Sequence, residues 1–246
     1  MPSVEMILYC HNFQRRMAWM LSSICQQKGI VPELIINIAS MPNNGNPTTE
    51  DLVDFYKDKL QIKHIIFDES ERDIFAYQQL VRERQIHSSK ADWIYQPDSD
   101  HILTTNFFNY FSESLEIHRN CNCCIGSGGR WVTDVEETNK IMTEKWSDLY
   151  IDNAYDKAIQ IKMLDIKKQR VGSHIAYRRQ VFIDKGKNRY THLMHDNNLF
   201  KKGMGSHSDK VFRKNIGGLI GVHWPKYVHL NHVRDKEIGY HSEEQR

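Results

Sequence analysis

The nine residues Trp93-Ile94-Tyr95-Gln96-Pro97-Asp98-Ser99-Asp100-His101 constrain this chain more than any other stretch. Trp93 to Tyr95 reads as a short buried strand that runs out into two carboxylates one residue apart. On an extended strand end, residues i and i+2 point to the same side, so Asp98 and Asp100 are expected to face one cavity. Two carboxylates aimed at one spot repel each other unless a positive charge lies between them. A hard divalent cation answers that need, because it takes oxygen ligands and often shares them with substrate phosphates. The plainer alternative is a polar loop whose aspartates open a turn or cap a helix. Asp-x-Asp alone does not choose between them.

The residues before this stretch alternate between two periodicities. Val4 to Cys10 is a compact apolar strand broken by His11-Asn12. Arg15 to Gln27 then carries Met17, Met20, Leu21 and Ile24 at helical spacing. Glu33 to Ile38 is a second strand, and Met41 to Pro47 a polar loop. Thr48-Thr49-Glu50-Asp51 opens a helix whose inner face is Leu52, Phe55, Tyr56 and Leu60. Ile62 to Phe67 is a third strand and Arg72 to His87 a third helix. Four strands alternating with three helices predict an α/β fold, a mostly parallel sheet covered on both faces. Ligands of such sheets bind beyond the carboxyl ends of the strands. His11, Asn12, Ser40, Asp68, Asp98 and Asp100 all fall at those ends.

The remainder is less regular. Thr105 to Ile117 reads as a helix packing Phe107, Phe108, Phe111 and Leu115. Cys124 to Val132 reads as a strand interrupted by glycines, where close backbone approach explains Gly126 to Gly129 better than a phosphate cradle. Glu136 to Tyr150 and Asn153 to Met163 look helical, and Gly172 to Tyr177 is a strand ending in Arg178-Arg179. Tyr227 to His232 alternates like a strand. There His229 and His232 would point to opposite faces unless the chain bends.

Composition narrows the class. The chain has 246 residues, 40% of them hydrophobic and 26% charged, enough for one generous domain. The net charge of +2 hides a basic segment, Lys162 to Lys214, with 14 Lys/Arg against 4 Asp. Such a segment suits an anionic ligand or acceptor, although a solvated surface is the commoner explanation. No apolar run approaches the roughly 20 residues needed to cross a bilayer, and the amino terminus lacks the layout of a signal peptide. The 5 cysteines follow no regular framework, which implies a reducing, cytoplasmic setting. Cys121, Cys123 and Cys124 read as small buried residues rather than a zinc site, since no second Cys/His pair follows at finger-like spacing.

Taken together, these motifs resemble the GT-A glycosyltransferases, particularly the inverting family-2 type, over nearly the whole chain. The family's first strand is similar to Ile7-Leu8-Tyr9-Cys10-His11-Asn12. Its Ala-Arg-Asn segment falls on Val81-Arg82-Glu83, which keeps only the arginine. Its aspartate-x-aspartate motif falls on Asp98-Ser99-Asp100. Its glycine strand followed by Arg-Arg looks like Gly172 to Arg179, its general base falls on Asp209, and its carboxy-terminal metal-binding histidine falls on His232 or His229. Acidic residues that the family often has after the second strand are replaced here by Ala39-Ser40.

The resemblance implies one GT-A domain over residues 1–246, with a nucleotide-binding half (1–101) and a smaller acceptor-binding half (102–246). It implies transfer from a nucleotide sugar, a UDP-sugar first of all, to a carbohydrate or other hydroxyl acceptor, with Mn2+ or Mg2+ held by Asp100 and His232. His11, Asn12, Ser40, Asp68, Arg82, Asp98 and Ser99 would line the donor site. Arg178, Arg179 and Asp196 would face the acceptor, and Asp196 is also the rival of Asp209 as base. Two other readings compete: a nucleotidyltransferase acting on a sugar phosphate, and a non-catalytic binder of polyanions or nucleic acid using the basic segment. The first lacks the glycine-rich, basic amino-terminal loop that holds a triphosphate.

Overall fold

The computed structural model describes residues 2–29, 31–75, 78–144, 148–164, 174–185 and 212–232. Its strands are β1 (Ser3–Cys10), β2 (Glu33–Ser40), β3 (Ile62–Ile66), β4 (Trp93–Gln96), β5 (His101–Ile102), β6 (Cys124–Gly126), β7 (Arg130–Val132), β8 (Ile175–Arg178), β9 (Leu219–Gly221) and β10 (Tyr227–His229). Seven of them make the central sheet, in the order β3-β2-β1-β4-β8-β6-β9. Only β8 runs against its neighbours. The mixed α/β, mostly parallel architecture expected from the alternating segments is the one observed. Chain order runs outward from β1 through β2 to β3, then crosses back to place β4 on the other side of β1. The crevice between the carboxyl ends of β1 and β4 is therefore a topological switch point, where open α/β sheets bind ligands.

The helices are α1 (Gln14–Cys25), α2 (Thr49–Tyr56), α3 (Arg72–Phe75), α4 (Gln78–Ser88), α5 (Phe107–Ile117), α6 (Val135–Glu144), α7 (Ala154–Ala158) and α8 (Arg179–Asp184). Met17, Met20, Leu21 and Ile24 of α1 recur every three or four residues and are all buried, with Trp19 beside them. Thr48 caps α2: its hydroxyl accepts from the Asp51 amide at 3.0 Å, and the Asp51 carboxylate accepts from the Thr48 amide at 2.9 Å. Such a cap contributes about 1 kcal/mol. Phe107 and Phe111 of α5 pack with Tyr95 and Trp224 at ring separations of 4.8 to 6.2 Å. This aromatic layer supports the floor of β4.

Over Arg72–His87, where one helix is expected, α3 and α4 are helical, and residues 76 and 77 between them lie outside the described residues. Three segments differ from the sequence expectation. The helix expected over Glu136–Tyr150 is described as far as Glu144 in α6, residues 145–147 lie outside the described residues, and 148–150 are not helical. The helix expected over Asn153–Met163 stops at Ala158, because the next residues lie along β7. There Asp134 donates its amide to Lys162 O at 2.6 Å, Leu164 donates to Val132 O at 2.9 Å, and Thr133 bridges Met163. The open edge of β7 supplied backbone groups that a helix would have left unpaired. The strand expected over Cys124–Val132 is split, with β6 in the central sheet and β7 in a second sheet of order β5-β10-β7. Cys123 and Cys124 are buried, and Cys121, Cys123 and Cys124 are all free thiols.

Gly126 sits where β6 meets β8, opposite Ile175. A Cβ placed there would lie 2.8 Å from His174 O and 2.9 Å from Ile175 Cγ2. The glycine thus serves close backbone approach. Gly126→Val is expected to lower unfolding stability by about 1–3 kcal/mol through overpacking. Urea unfolding would read this as a lower midpoint at unchanged slope, and an unshifted midpoint would show that β6 and β8 can separate freely.

Candidate active site

The site forms where β4 leaves the central sheet and enters the small one. After Gln96 and Pro97 the chain turns, closed by the His101 amide donating to Asp98 O at 3.2 Å. Asp98 and Asp100 therefore converge through a turn, not through the pleat of an extended strand. Their two carboxylates flank one imidazole: His101 Nε2 lies 3.6 Å from Asp98 Oδ2 and 3.8 Å from Asp100 Oδ1. The Asp98 amide donates to His101 Nδ1 at 3.3 Å, which leaves the ring proton on Nε2, facing the carboxylates. Ser99 donates its hydroxyl to Tyr9 O at 3.1 Å and ties the turn to the end of β1.

The carboxy-terminal chain returns as β10, antiparallel to β5 and parallel to β7, and pairs His229 with His101. His229 Nε2 lies 3.0 Å from Asp100 Oδ2, and His232 Nε2 lies 3.4 Å from the same oxygen. The expectation that only one of these histidines would face the site holds for a straight strand. Here β10 ends at His229, and the bend at 230–232 brings both imidazoles to one carboxylate. Asp100 is 3% exposed, and its Oδ1, like His101 Nε2 and His229 Nδ1, is buried and finds no hydrogen-bond partner among the described residues. Ligand atoms of Asp100, His101 and His229 lie within 4.8 Å of one another. A buried carboxylate oxygen left unpartnered among imidazoles fits a divalent cation. This mixed O/N set suits Mn2+ better than Mg2+, which favours oxygen and water.

Burial pushes the Asp100 carboxyl up, but the adjoining His229, His232 and His101 outweigh it and hold the carboxyl well below its usual range. Burial pushes His101 down to about 4 against the pull of Asp98 and Asp100, so this imidazole stays neutral. Behind it, the His101 and His174 rings each stand 4.2 Å from the Tyr227 ring, and His174 Nδ1 meets the Tyr95 hydroxyl at 2.8 Å. Arg130 is in register with Tyr227 on β7, so its side chain leaves the sheet on the face that carries His229. Its charge adds to the forces that keep His101 neutral.

The other anticipated residues divide. Arg82, 2% exposed, donates Nη2 to Asp98 Oδ1 at 3.0 Å, so in this structure its partner is the aspartate. His11 stacks on Tyr9 at 6.2 Å and meets the Phe75 ring at a tilt at 5.7 Å, and Asn12 takes φ 55°, a left-handed conformation that asparagine tolerates. Both border the crevice. Ser40 is buried, and its hydroxyl meets His64 Nε2 at 2.8 Å. Asp68 caps a short turn by accepting from the Ser70 amide at 2.8 Å. Arg178 and Arg179 are not brought to the cluster. Because β8 is antiparallel, Arg178 pairs with Trp93 at the start of β4, and Arg179 bonds Asp92 O and Ile86 O at 2.9 and 3.2 Å. They lie at the end of the strands opposite the aspartates. Asp196 and Asp209 lie outside the described residues, as does most of the basic segment. Sequence reasoning gave His101 no role and missed Arg130. For His101 a signal existed in its direct attachment to Asp100; for Arg130 none did.

The mixed α/β architecture with its mostly parallel seven-stranded sheet is a fold of the GT-A type. Among solved structures the chain is similar to TarS from S. aureus, with a TM-score of 0.60 at 11% identity over 94% of this chain and 37% of TarS. TarS 1–349 in complex with UDP-GlcNAc gives 0.59 at 12% identity, over 96% of this chain and 60% of that one. The mannosyltransferase PcManGT from Pyrobaculum calidifontis, in complex with GDP-Man and Mn2+, gives 0.52 at 12% identity, over 92% and 56%. The chain thus spans less than two thirds of these neighbours, and at such identities the likeness is one of fold. No protein-family model and no curated protein sequence matches the chain. No helix among the described residues is long and apolar enough to cross a membrane.

Burial, helped by His101, holds His174 well below its ordinary value of 6.5. The unfolded chain takes up a proton there below about pH 6.5, and the folded chain does not. The stabilisation from a neutral His174 is therefore complete above that pH and is lost as pH falls toward the folded-state value, by up to about 1.4 kcal/mol per pH unit. His174→Gln keeps a partner for Tyr95 but cannot titrate. Melting curves from pH 7.5 to 5 should fall less steeply in this variant, and parallel curves would refute the assignment.

Proposed function

We propose that this chain is a metal-dependent glycosyltransferase that moves a sugar from a nucleotide-sugar donor, a UDP-sugar first of all, to an acceptor hydroxyl with inversion. The observation that carries the reading is the buried Asp100 carboxylate among His229, His232 and His101, set at the switch-point crevice. Neighbours of the same fold crystallised with UDP-GlcNAc and with GDP-Man and Mn2+ support the donor class.

Departure of a nucleoside diphosphate builds charge on its outer phosphate. Asp100, His229 and His232 would hold Mn2+, which when bound supplies Lewis-acid neutralisation of that charge. Two unit charges at ~4 Å interact by roughly 4 kcal/mol at an effective dielectric near 20. That is enough to change a rate by orders of magnitude where it acts mainly in the transition state. Asp98 faces the crevice and would take the ribose hydroxyls, held in place by the Arg82 guanidinium. His11 and Asn12 would border the nucleoside from the end of β1. Asp209 would take the acceptor proton as the hydroxyl attacks opposite the diphosphate. Asp196 is the alternative base.

Purified protein with Mn2+ and a panel of UDP-, GDP-, CMP- and dTDP-sugars should show a raised melting temperature with one nucleotide class and slow release of that nucleotide. Asp100→Ala should abolish turnover and Mn2+ binding while the fold survives. Asp98→Asn should weaken nucleotide more than metal. Retained Mn2+ affinity in Asp100→Ala would sink the metal assignment.

For the base, Asp209→Asn separates chemistry from helix capping, because asparagine still caps but accepts no proton. It is expected to melt within a few degrees of wild type, bind donor normally and lose ~10²–10⁴-fold in kcat. An unchanged kcat would transfer the role to Asp196.

A further inference from the structure

His232 does not belong to a strand. It hangs, with Asn231, on the bend that follows β10, where an imidazole is held only as firmly as the local contacts allow. Those contacts are specific. The Leu230 amide donates to Asp100 O at 3.0 Å, and the Asn231 amide donates to Thr133 Oγ1 at 2.9 Å. The Asn231 carbonyl accepts from Arg16 Nη2 at 3.1 Å, and the same nitrogen donates to Asn139 Oδ1 at 2.8 Å. The Phe13 ring meets the His232 ring edge-on at 5.0 Å, and the Arg16 guanidinium stands 5.6 Å over that phenyl ring.

Arg16 is 1% exposed, on the first turn of α1. Burying a guanidinium is costly, and burial alone does not favour it over an apolar side chain. What an apolar replacement could not do is grip the Asn231 carbonyl, which lies between the two histidines, and fasten it to α6 through Asn139. Arg16 also follows His11 and Asn12 by one short turn, so the helix that borders the donor crevice is the one that fixes the histidine bend. From this we propose that Arg16 is a positioning residue for the metal site: it presets the 229–232 bend so that His229 and His232 meet Asp100 together. The inference rests on the metal reading above and extends it to a residue that touches neither metal nor donor.

Outer residues that orient ligands typically cost 10- to 100-fold in metal affinity when removed. Mn2+ titrations without nucleotide, read by the electron paramagnetic resonance of free Mn2+, should therefore show Arg16→Met binding 10- to 100-fold more weakly than wild type. Arg16→Lys, with charge but no fork, should recover part of the loss. Asn139→Ala, which leaves Arg16 in place but unanchored to α6, should weaken binding several-fold. A folded Arg16→Met with wild-type affinity overturns the inference, because a purely structural arginine would change melting temperature and not Mn2+ affinity. Should Arg16→Met fail to fold, Asn139→Ala decides, and unchanged Mn2+ affinity there overturns it equally. Wild-type protein that binds no Mn2+ sinks the metal reading itself and this inference with it. Tight binding by wild type and Arg16→Met alike sinks only the role of Arg16.

Discussion

Keeping one carboxylate, Asp100, ionised while nearly all of it is withdrawn from water is the constraint on which the site depends. A buried carboxylate without partners would take up a proton instead. Three imidazoles prevent this, and two of them come from residues more than 120 positions later, as the sequence separation of His229 from Asp100 shows. The carboxy-terminal chain must therefore return to the place where β4 ends. Strand β10 performs that return by inserting between β5 and β7, which makes the second sheet a consequence of the site as much as a part of the fold.

The same junction explains why so many backbone contacts converge there. Ser99 is bonded to the end of β1, Leu230 to Asp100 O, and Thr133 to His229 O by both its amide and its hydroxyl, at 3.1 and 3.2 Å. Each contact joins segments far apart in sequence, and each fixes a residue directly beside a ligand candidate. Groups held in this way lose little further freedom when a cation or diphosphate arrives, which is the physical content of preorganisation.

Much of this was legible in the sequence, and the limits have physical causes. Strands β1 to β4 and helices α1 and α2 were readable because their apolar periodicity is strong, and α2 also carries a conventional cap in Thr48 and Asp51. Asp98 and Asp100 were readable because two acids at a strand end are costly without a purpose. The two histidines were only half readable: alternation predicts opposite faces, and nothing in Leu230-Asn231 announces the bend. The placement of Arg178 and Arg179 was not readable because residue type reveals charge but not strand direction, and an antiparallel β8 carries them to the end of the strands away from Asp98 and Asp100. Arg130 was invisible because its relevance comes from register with Tyr227, a long-range pairing that local pattern does not encode. The short helix α7 was overestimated because an exposed strand edge competes for backbone groups that propensity assigns to a helix.

Asp-x-Asp is a symmetrical motif, yet its two carboxylates end in different environments. Asp98 is 39% exposed and its Oδ1 is held by Arg82, a cation fixed on α4. Asp100 is buried and meets imidazoles. His101 stands between them, and its Nε2–H faces both. A cation brought to Asp98 would stand beside the Arg82 guanidinium already there, and like charges repel. Imidazoles can be exchanged, because the nitrogen that donates to a carboxylate becomes a ligand once its proton leaves. The chain has thus divided two identical side chains by their neighbours. On the proposed reading, Asp100 would take the cation and Asp98 a neutral hydroxyl of the donor.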